Sequence, residues 1–345
     1  MIKVGVVGYG YSANTFHIPL IESTVSMRLT GISSTKSSIV KVSHPSVTLF
    51  DSADKLITSG NIDLVIITAP NHVHFRLAKL CLESGVHVVV EKPMVTTSAE
   101  AQELVSIAKK RALVLSVFHN RRWDGDFLTV QKLLKNNSLG EIKYFESHYD
   151  RFRPTVRQRW REEPGPGSGI WYDLGSHLVD QTITLFGLPQ ALTARCLSLR
   201  NASKTTDYFH VQLHYSEHEV VLHASSFTAA PNSRFRLEGS KGSFIKYGFD
   251  PQEKQLQNGL MPDQLGYGVE EKAQYGSLYG ETSVEPIETE MGCYQQYYQG
   301  IASAINIGSR NPVNPIDAVN VLTILELAEM SSRERKTLPV WGHKR

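Results

Sequence analysis

The 345-residue sequence predicts an α/β fold: a doubly wound parallel sheet first, then an α+β unit with a mostly antiparallel sheet. Three observations predict it. Apolar runs suited to buried parallel strands alternate with helical patterns from Val4 to Val117. A Gly-x-Gly-x-x-Ala turn, made by Gly8, Gly10 and Ala13, breaks the first of those runs. Beyond Arg121 the alternation gives way to consecutive strands joined by short turns. The length exceeds a usual single core, so the chain divides into two domains, 1–120 and 121–345.

The elements follow in order. The strand beginning at Val4 runs into the glycine turn, which reads as a dinucleotide-binding turn. Gly8 permits the tight bend, Gly10 lets the backbone approach a pyrophosphate, and Ala13 lets helix pack closely on strand. Tyr11 and Ser12 open that helix, where free N–H groups and the dipole favour phosphate. The helix spans Ser12 to about Glu22, with Pro19 predicting a kink or early stop. Met27 to Ile32 is the second strand, and it ends in Ser33-Ser34-Thr35-Lys36. An acid at this place would hold the ribose 2′-OH of NAD, whereas a 2′-phosphate needs hydroxyls and a cation. No Asp or Glu occurs between Glu22 and Asp51, which favours NADP while leaving NAD possible. The alternative is a polar loop whose Lys36 faces solvent.

Asp54 to Ser59 reads as a short helix, and Leu64 to Thr68 as a central strand leading to Pro70, Asn71 and His74. Ligands of open α/β sheets bind beyond such carboxyl ends. An amphipathic helix, Phe75 to Ser84, closes on Gly85. The strand His87 to Val90 is followed by Glu91-Lys92-Pro93, a helix from Ala99 to Lys110 and a strand from Leu113 to Val117. In the second domain Asp126 to Lys135 is helical and Ile142 to Tyr149 alternates like a strand. A Pro/Gly loop, 164–169, leads into a helix. Strands follow at Leu192 to Leu199, Tyr208 to Tyr215, Val220 to Phe227, Arg234 to Glu238 and Ser243 to Tyr247, with a hairpin turn at Gly239 to Gly242. Residues 250–284 show no clear period and read as a long loop. Helices around Cys293 to Ile307 and Ile316 to Arg333 finish the chain.

Composition excludes several classes. A formal charge of +2 over 36 basic and 34 acidic residues argues against a nucleic-acid or membrane partner recruited by bulk charge. Three scattered cysteines make no disulfide framework, which suggests a reducing cytoplasm. No apolar run reaches bilayer-spanning length, and the first residues enter a strand without a secretory leader.

Lys92 is the sharpest chemical candidate after the glycines. It follows a strand end at the expected crevice, and Pro93 restricts its backbone, so its ammonium projects from a fixed stem. There it can stabilise the alkoxide-like oxygen that develops as hydride leaves carbon. A solvated Glu91–Lys92 pair is the alternative. Asp173, His177 and Asp180 fall on one helix face, where a carboxylate one turn away can orient the imidazole and raise its basicity, making it a general base. From spacing alone a structural account suffices: Asp173 against the helix dipole, Asp180 facing solvent and His177 a satisfied core histidine. His72 and His74 could be combined with that set into a metallohydrolase site, but a glycine turn has no role in one, so no metal is expected. The segment Arg151 to Arg161 holds five arginines among aromatics. It reads as a nucleic-acid contact, a loop over the cleft, a subunit contact or a solvated stretch.

Gly8-x-Gly10-x-x-Ala13, Pro70-Asn71-x-x-His74, Glu91-Lys92-Pro93 and Asp173-x-Gly175-x-His177-x-x-Asp180 together resemble the Gfo/Idh/MocA oxidoreductases, named for glucose-fructose oxidoreductase and inositol dehydrogenase. The resemblance covers essentially the whole chain. It implies a Rossmann domain, a C-terminal domain whose open sheet serves a homo-oligomer (dimer or tetramer), and NAD(P)-dependent oxidation of a sugar or cyclitol hydroxyl. It also implies catalytic Lys92 and His177, Asp173 in substrate binding, and Asn71 and Glu91 near the nicotinamide. Ser116 to Asp124 and the Arg151 to Arg161 segment are similar to a bacterial branch with NADP-dependent scyllo-inositol dehydrogenase. Thr35 departs from that branch, which can carry arginine there. The family also contains a non-catalytic NADP-binding co-repressor, the alternative reading.

Overall fold

The computed structural model describes residues 1–157 and 162–342. Its first sheet has six parallel strands in the order β3-β2-β1-β4-β5-β6. These are β1 Ile2–Val7, β2 Met27–Ser33, β3 Thr48–Phe50, β4 Leu64–Ile67, β5 His87–Val90 and β6 Leu115–Val117. The continuous apolar runs are explained by burial on both faces: every side chain of β4 and Val88 to Val90 of β5 is sealed from solvent. Helices α1 Ile18–Glu22, α2 Ser37–Ser43, α3 Ala53–Ile57, α4 His74–Glu83 and α5 Ser98–Arg111 connect the strands. Chain order reverses between β1 and β4, which creates the crevice where ligands of such sheets bind.

Two expectations change here. Pro19 does not stop the helix: it sits in the first turn of α1, directly after a π-helical turn, Ala13–His17. Helix α2 and strand β3 were not visible in the sequence. Only Val40 of α2 is buried, so no apolar stripe marks it, and β3 is a three-residue edge strand.

The second sheet has nine strands ordered β14-β13-β12-β11-β7-β10-β9-β8-β15. Its members are β7 Ile142–His148, β8 Ala191–Leu197, β9 Tyr208–His214, β10 Glu219–Ser225, β11 Ser233–Gly239, β12 Gly242–Tyr247, β13 Gly276–Tyr279, β14 Val284–Ile287 and β15 Leu338–Pro339. Pairing is antiparallel except between β7 and β10. Helix α6, Gly125–Lys135, enters this half, and α7, Ser176–Phe186, continues from a second π-helical turn, Trp171–Gly175. Residues 250–284 are not a structureless loop. They form α8, Gln252–Gln257, a 3-10 turn at Lys272–Gln274 and β13.

The last helices, α9 Gln295–Ile307 and α10 Pro315–Glu334, bind the two sheets together. Glu326 of α10 accepts from the Ser98 N–H at 2.7 Å and its hydroxyl at 2.6 Å, capping interactions at the start of α5. Asn311 donates to the Leu115 carbonyl at 2.8 Å, and Phe118 packs edge-on against Tyr297. Among the described residues no helix is long and apolar enough to cross a membrane.

Candidate active site

Gly8 ends β1 with φ +97°, and a Cβ there would stand 2.7 Å from the Thr68 hydroxyl, so only glycine fits. Gly10 differs: a Cβ built on it meets nothing within 4 Å, so the backbone is bare toward open space. Ala13 is fully buried and does not reach that space, in keeping with a helix-packing role. The space is a cavity of about 1040 Å³. It is lined by Gly8, Gly10, Tyr11 and Ser12, by Ser33, Ser34, Thr35 and Lys36, and by Pro70, Asn71, Glu91 and Lys92. Asp173 and His177 line it from the second half of the chain. A bare glycine at a helix start, hydroxyls and a lysine beyond β2, and one continuous space fit a nicotinamide dinucleotide.

Glu91 and Lys92 are not a solvated pair; each turns to a separate partner. Glu91 accepts from Ser12 and lies 2.9 Å from Nε2 of His17, whose Nδ1 meets the Tyr298 hydroxyl. Burial alone would raise the Glu91 carboxyl, but His17, Ser12 and Lys92 outweigh it and hold it down at about 2. The Lys92 ammonium donates to the Asp173 backbone carbonyl at 2.6 Å and to its carboxylate at 2.8 Å. Asp173 can be reached because it lies in the π-helical turn, which widens the helix at this point. Gly175 completes the turn: a Cβ there would lie 2.2 Å from the Trp171 ring.

His177 is buried, and its Nδ1 has no hydrogen-bond partner among the described residues. The expectation that a carboxylate raises its basicity is not met. Burial first, then the charges of Lys92 and Arg121, lower its pKa well below the usual 6.5. Asp180 also departs from the expected shared face. It does not line the cavity but takes a two-pronged bond from Arg122 at 2.9 and 2.7 Å. His74 is a further correction. It lies outside the cavity lining, buried, with Nδ1 3.0 Å from the Pro93 carbonyl and Nε2 2.8 Å from that of Ala69. It ties two loops together behind the site. His74 and Asp180 are committed elsewhere and do not join Asp173 and His177 in a ligand set.

Several lining residues escaped the sequence reading. Asp51 and Ser52 approach from the end of β3, with Asp51 paired to Lys55 at 2.8 Å. Arg121 and Tyr149 line the second half of the cavity; Arg151 and Arg153 line it too, in line with the reading of their segment as a loop over the cleft. Arg151 and Arg153 belong to the arginine-rich segment; Gln158, Arg159, Trp160 and Arg161 lie outside the described residues. Glu253 and Gln257 come from α8, whose two turns are too short to show a period. Glu253 accepts from the Tyr11 hydroxyl at 2.7 Å and from Arg121 at 2.6 Å, which brings α8 over the dinucleotide turn.

A glycine turn at the switch point of a six-stranded parallel sheet, opening on a cavity shared with a second domain, defines a nicotinamide-dinucleotide-binding oxidoreductase. Comparison with known proteins narrows that class. Residues 2–119 match the oxidoreductase family's NAD-binding Rossmann fold, and residues 131–340 match its C-terminal alpha/beta domain. The chain belongs to the Gfo/Idh/MocA oxidoreductase family. It is 50% identical over 315 residues to the uncharacterized oxidoreductase YdgJ of Escherichia coli, covering 90% of this chain and 91% of that one. It is 38% identical over 341 residues to the scyllo-inositol 2-dehydrogenase (NADP(+)) IolW of Bacillus subtilis, covering 98% and 95%. The crystal structure of an oxidoreductase from Bacillus cereus superposes with a TM-score of 0.92 at 30% identity, covering 100% of both chains.

Proposed function

We propose that this chain is an NADP-preferring dehydrogenase that moves hydride between nicotinamide and a secondary hydroxyl of a cyclic polyol or sugar, with scyllo-inositol as the first substrate to test. One observation carries the reading: the Lys92–Asp173 pair and a neutral His177 open onto the same cavity as the glycine turn. Two of the three donors of the Lys92 ammonium are held by Asp173, which leaves one for a substrate oxygen. His177, kept unprotonated by burial and neighbouring cations, takes the hydroxyl proton during oxidation. The nicotinamide supplies the hydride acceptor; Pro70, Asn71 and Glu91 shape the wall on its side. Ser33, Ser34 and Lys36, with no acid in β2 or directly after it, support a 2′-phosphate, as does the NADP-dependent relative IolW.

A polyol and sugar screen with NADP, read at the reduced-nicotinamide absorbance band, tests the proposal. Lys92→Ala and His177→Ala should each lose about 3 kcal/mol of barrier lowering, roughly 100-fold in kcat/KM, comparable to deleting one oxyanion donor. Turnover near wild type in either folded variant refutes the roles. Inactivity of the wild type across the whole panel, with NADPH still bound, would favour the non-catalytic NADP-binding regulator.

A further inference from the structure

Outside the cavity, at the ends of two strands of the second sheet, three ligand-type side chains converge. His148 ends β7, His223 stands opposite it on β10 in the parallel register, and Asp150 follows two residues after His148. Nδ1 of His148 lies 3.0 Å from Oδ2 of Asp150, and Nε2 of His223 lies 3.5 Å from Oδ1 of the same carboxylate. The three ligand atoms all fall within 4.8 Å of one another. None of these residues lines the cavity, and the proposed reaction uses none of them.

The spacing suits a small tetrahedral cation. Bonds of about 2.0–2.1 Å to imidazole nitrogen and carboxylate oxygen place neighbouring ligand atoms roughly 3.3 Å apart; the observed 3.0 and 3.5 Å run to the two different oxygens of Asp150, so its carboxylate faces the two rings with one oxygen each. The supporting partners are built as well. Nε2 of His148, its other nitrogen, lies 2.7 Å from a Glu146 carboxylate oxygen without hydrogen-bond alignment, so that carboxylate acts on the ring through its charge. Asp150 is steadied by the Ser225 N–H at 2.8 Å. The cluster is poorly served by protein groups alone. The Asn232 amide nitrogen lies 2.9 Å from Nδ1 of His148 and 2.8 Å from Asp150. A proton on that Nδ1 would face the amide N–H, whereas a bare nitrogen would face the carboxylate. Nε2 of His223 is the nitrogen that faces Asp150, while its Nδ1 is buried with no partner among the described residues.

We propose that His148, Asp150 and His223 form a divalent transition-metal site of the zinc type, with the fourth position left to water. An ion there pins the end of β7 to β10, whose chain neighbours Tyr149, Arg151 and Ser225 line the cavity. The site therefore stiffens the substrate wall without entering the chemistry.

The test uses full-length protein stripped with a chelator and titrated with Co²⁺, then Zn²⁺. Expected are a visible d–d absorption that saturates at one Co²⁺ per chain, its displacement by Zn²⁺, and a higher melting temperature with Zn²⁺. Glu146→Gln should weaken binding roughly 10–100-fold, the usual cost of an outer partner, and His223→Gln by more than that. His210→Gln, whose ring packs beside His223 but lies outside the ligand set, should bind as wild type does. If His223→Gln does not fold, His148→Gln gives the same test. No visible band, or uptake unchanged when either ligand histidine is replaced, overturns the proposal.

Discussion

At the scale of single residues, the site depends on protonation states that packing sets. His177 is held neutral by burial and by Lys92 and Arg121, so its folded pKa lies well below the unfolded value of about 6.5. For polyol oxidation the active form is the unprotonated ring. The profile of kcat/KM against pH should stay level through 6.5 and fall only at more acid pH; an acid limb centred at or above 6.5 would remove His177 from the role. Stability follows the same sign. A depressed pKa contributes stability that is present above the unfolded pKa and lost as pH falls, because the unfolded chain takes up the proton first. His177 starts this loss below about 6.5, and Glu91 adds to it between its usual 4.5 and about 2. Glu91→Gln should flatten the fall of melting temperature across that lower window; an unchanged slope would show that the His17 and Ser12 contacts do not stabilise the charged form. Glu91 and Lys92 were legible as a motif, but their divergence toward His17 and Asp173 was not. Those partners stand 74 and 81 residues away, beyond any local pattern.

At the scale of elements, the sequence was most informative where burial is symmetrical. β1, β4 and β5 were legible because strands covered on both faces read as unbroken apolar runs. The two π-helical turns were not, since an added residue per turn leaves no signature in apolar spacing. Both begin helices at the cavity, and the second carries Asp173. Helix α8 was lost for a different reason: two turns amid Gly- and Tyr-rich chain carry too few apolar positions to show a period. Yet α8 supplies Glu253, which joins Tyr11 to the buried Arg121. Glu253→Ala should cost about 1.5 kcal/mol for the lost bond to a charged group, seen as a lower urea midpoint. It should also weaken NADPH binding in a fluorescence titration, because Tyr11 beside the glycine turn is then held by Gln257 alone of its two α8 partners. Unaltered cofactor affinity would mean that α8 covers the turn without shaping it.

At the scale of the whole molecule, a division at residue 120 separates the two sheets but not the two cores. The C-terminal helices return to the first sheet: Glu326 holds the start of α5, Asn311 holds Leu115 of β6, and Tyr297 and Tyr298 pack on Phe118. Tyr298 also meets His17, which in turn steadies Glu91 beneath the glycine turn. A chain cut to residues 1–120 would keep all six parallel strands but strip this cover from β6, α5 and Phe118. It would leave an apolar face in water and His17 without its hydroxyl partner. Such a fragment should bind a hydrophobic dye, unfold over a broad urea range and fail to hold NADPH, whereas the full chain unfolds cooperatively. Were it to unfold sharply and bind NADPH as tightly as the full chain, the first 120 residues would be an autonomous cofactor domain. The contacts made by α9 and α10 would then serve only to align the substrate wall with it.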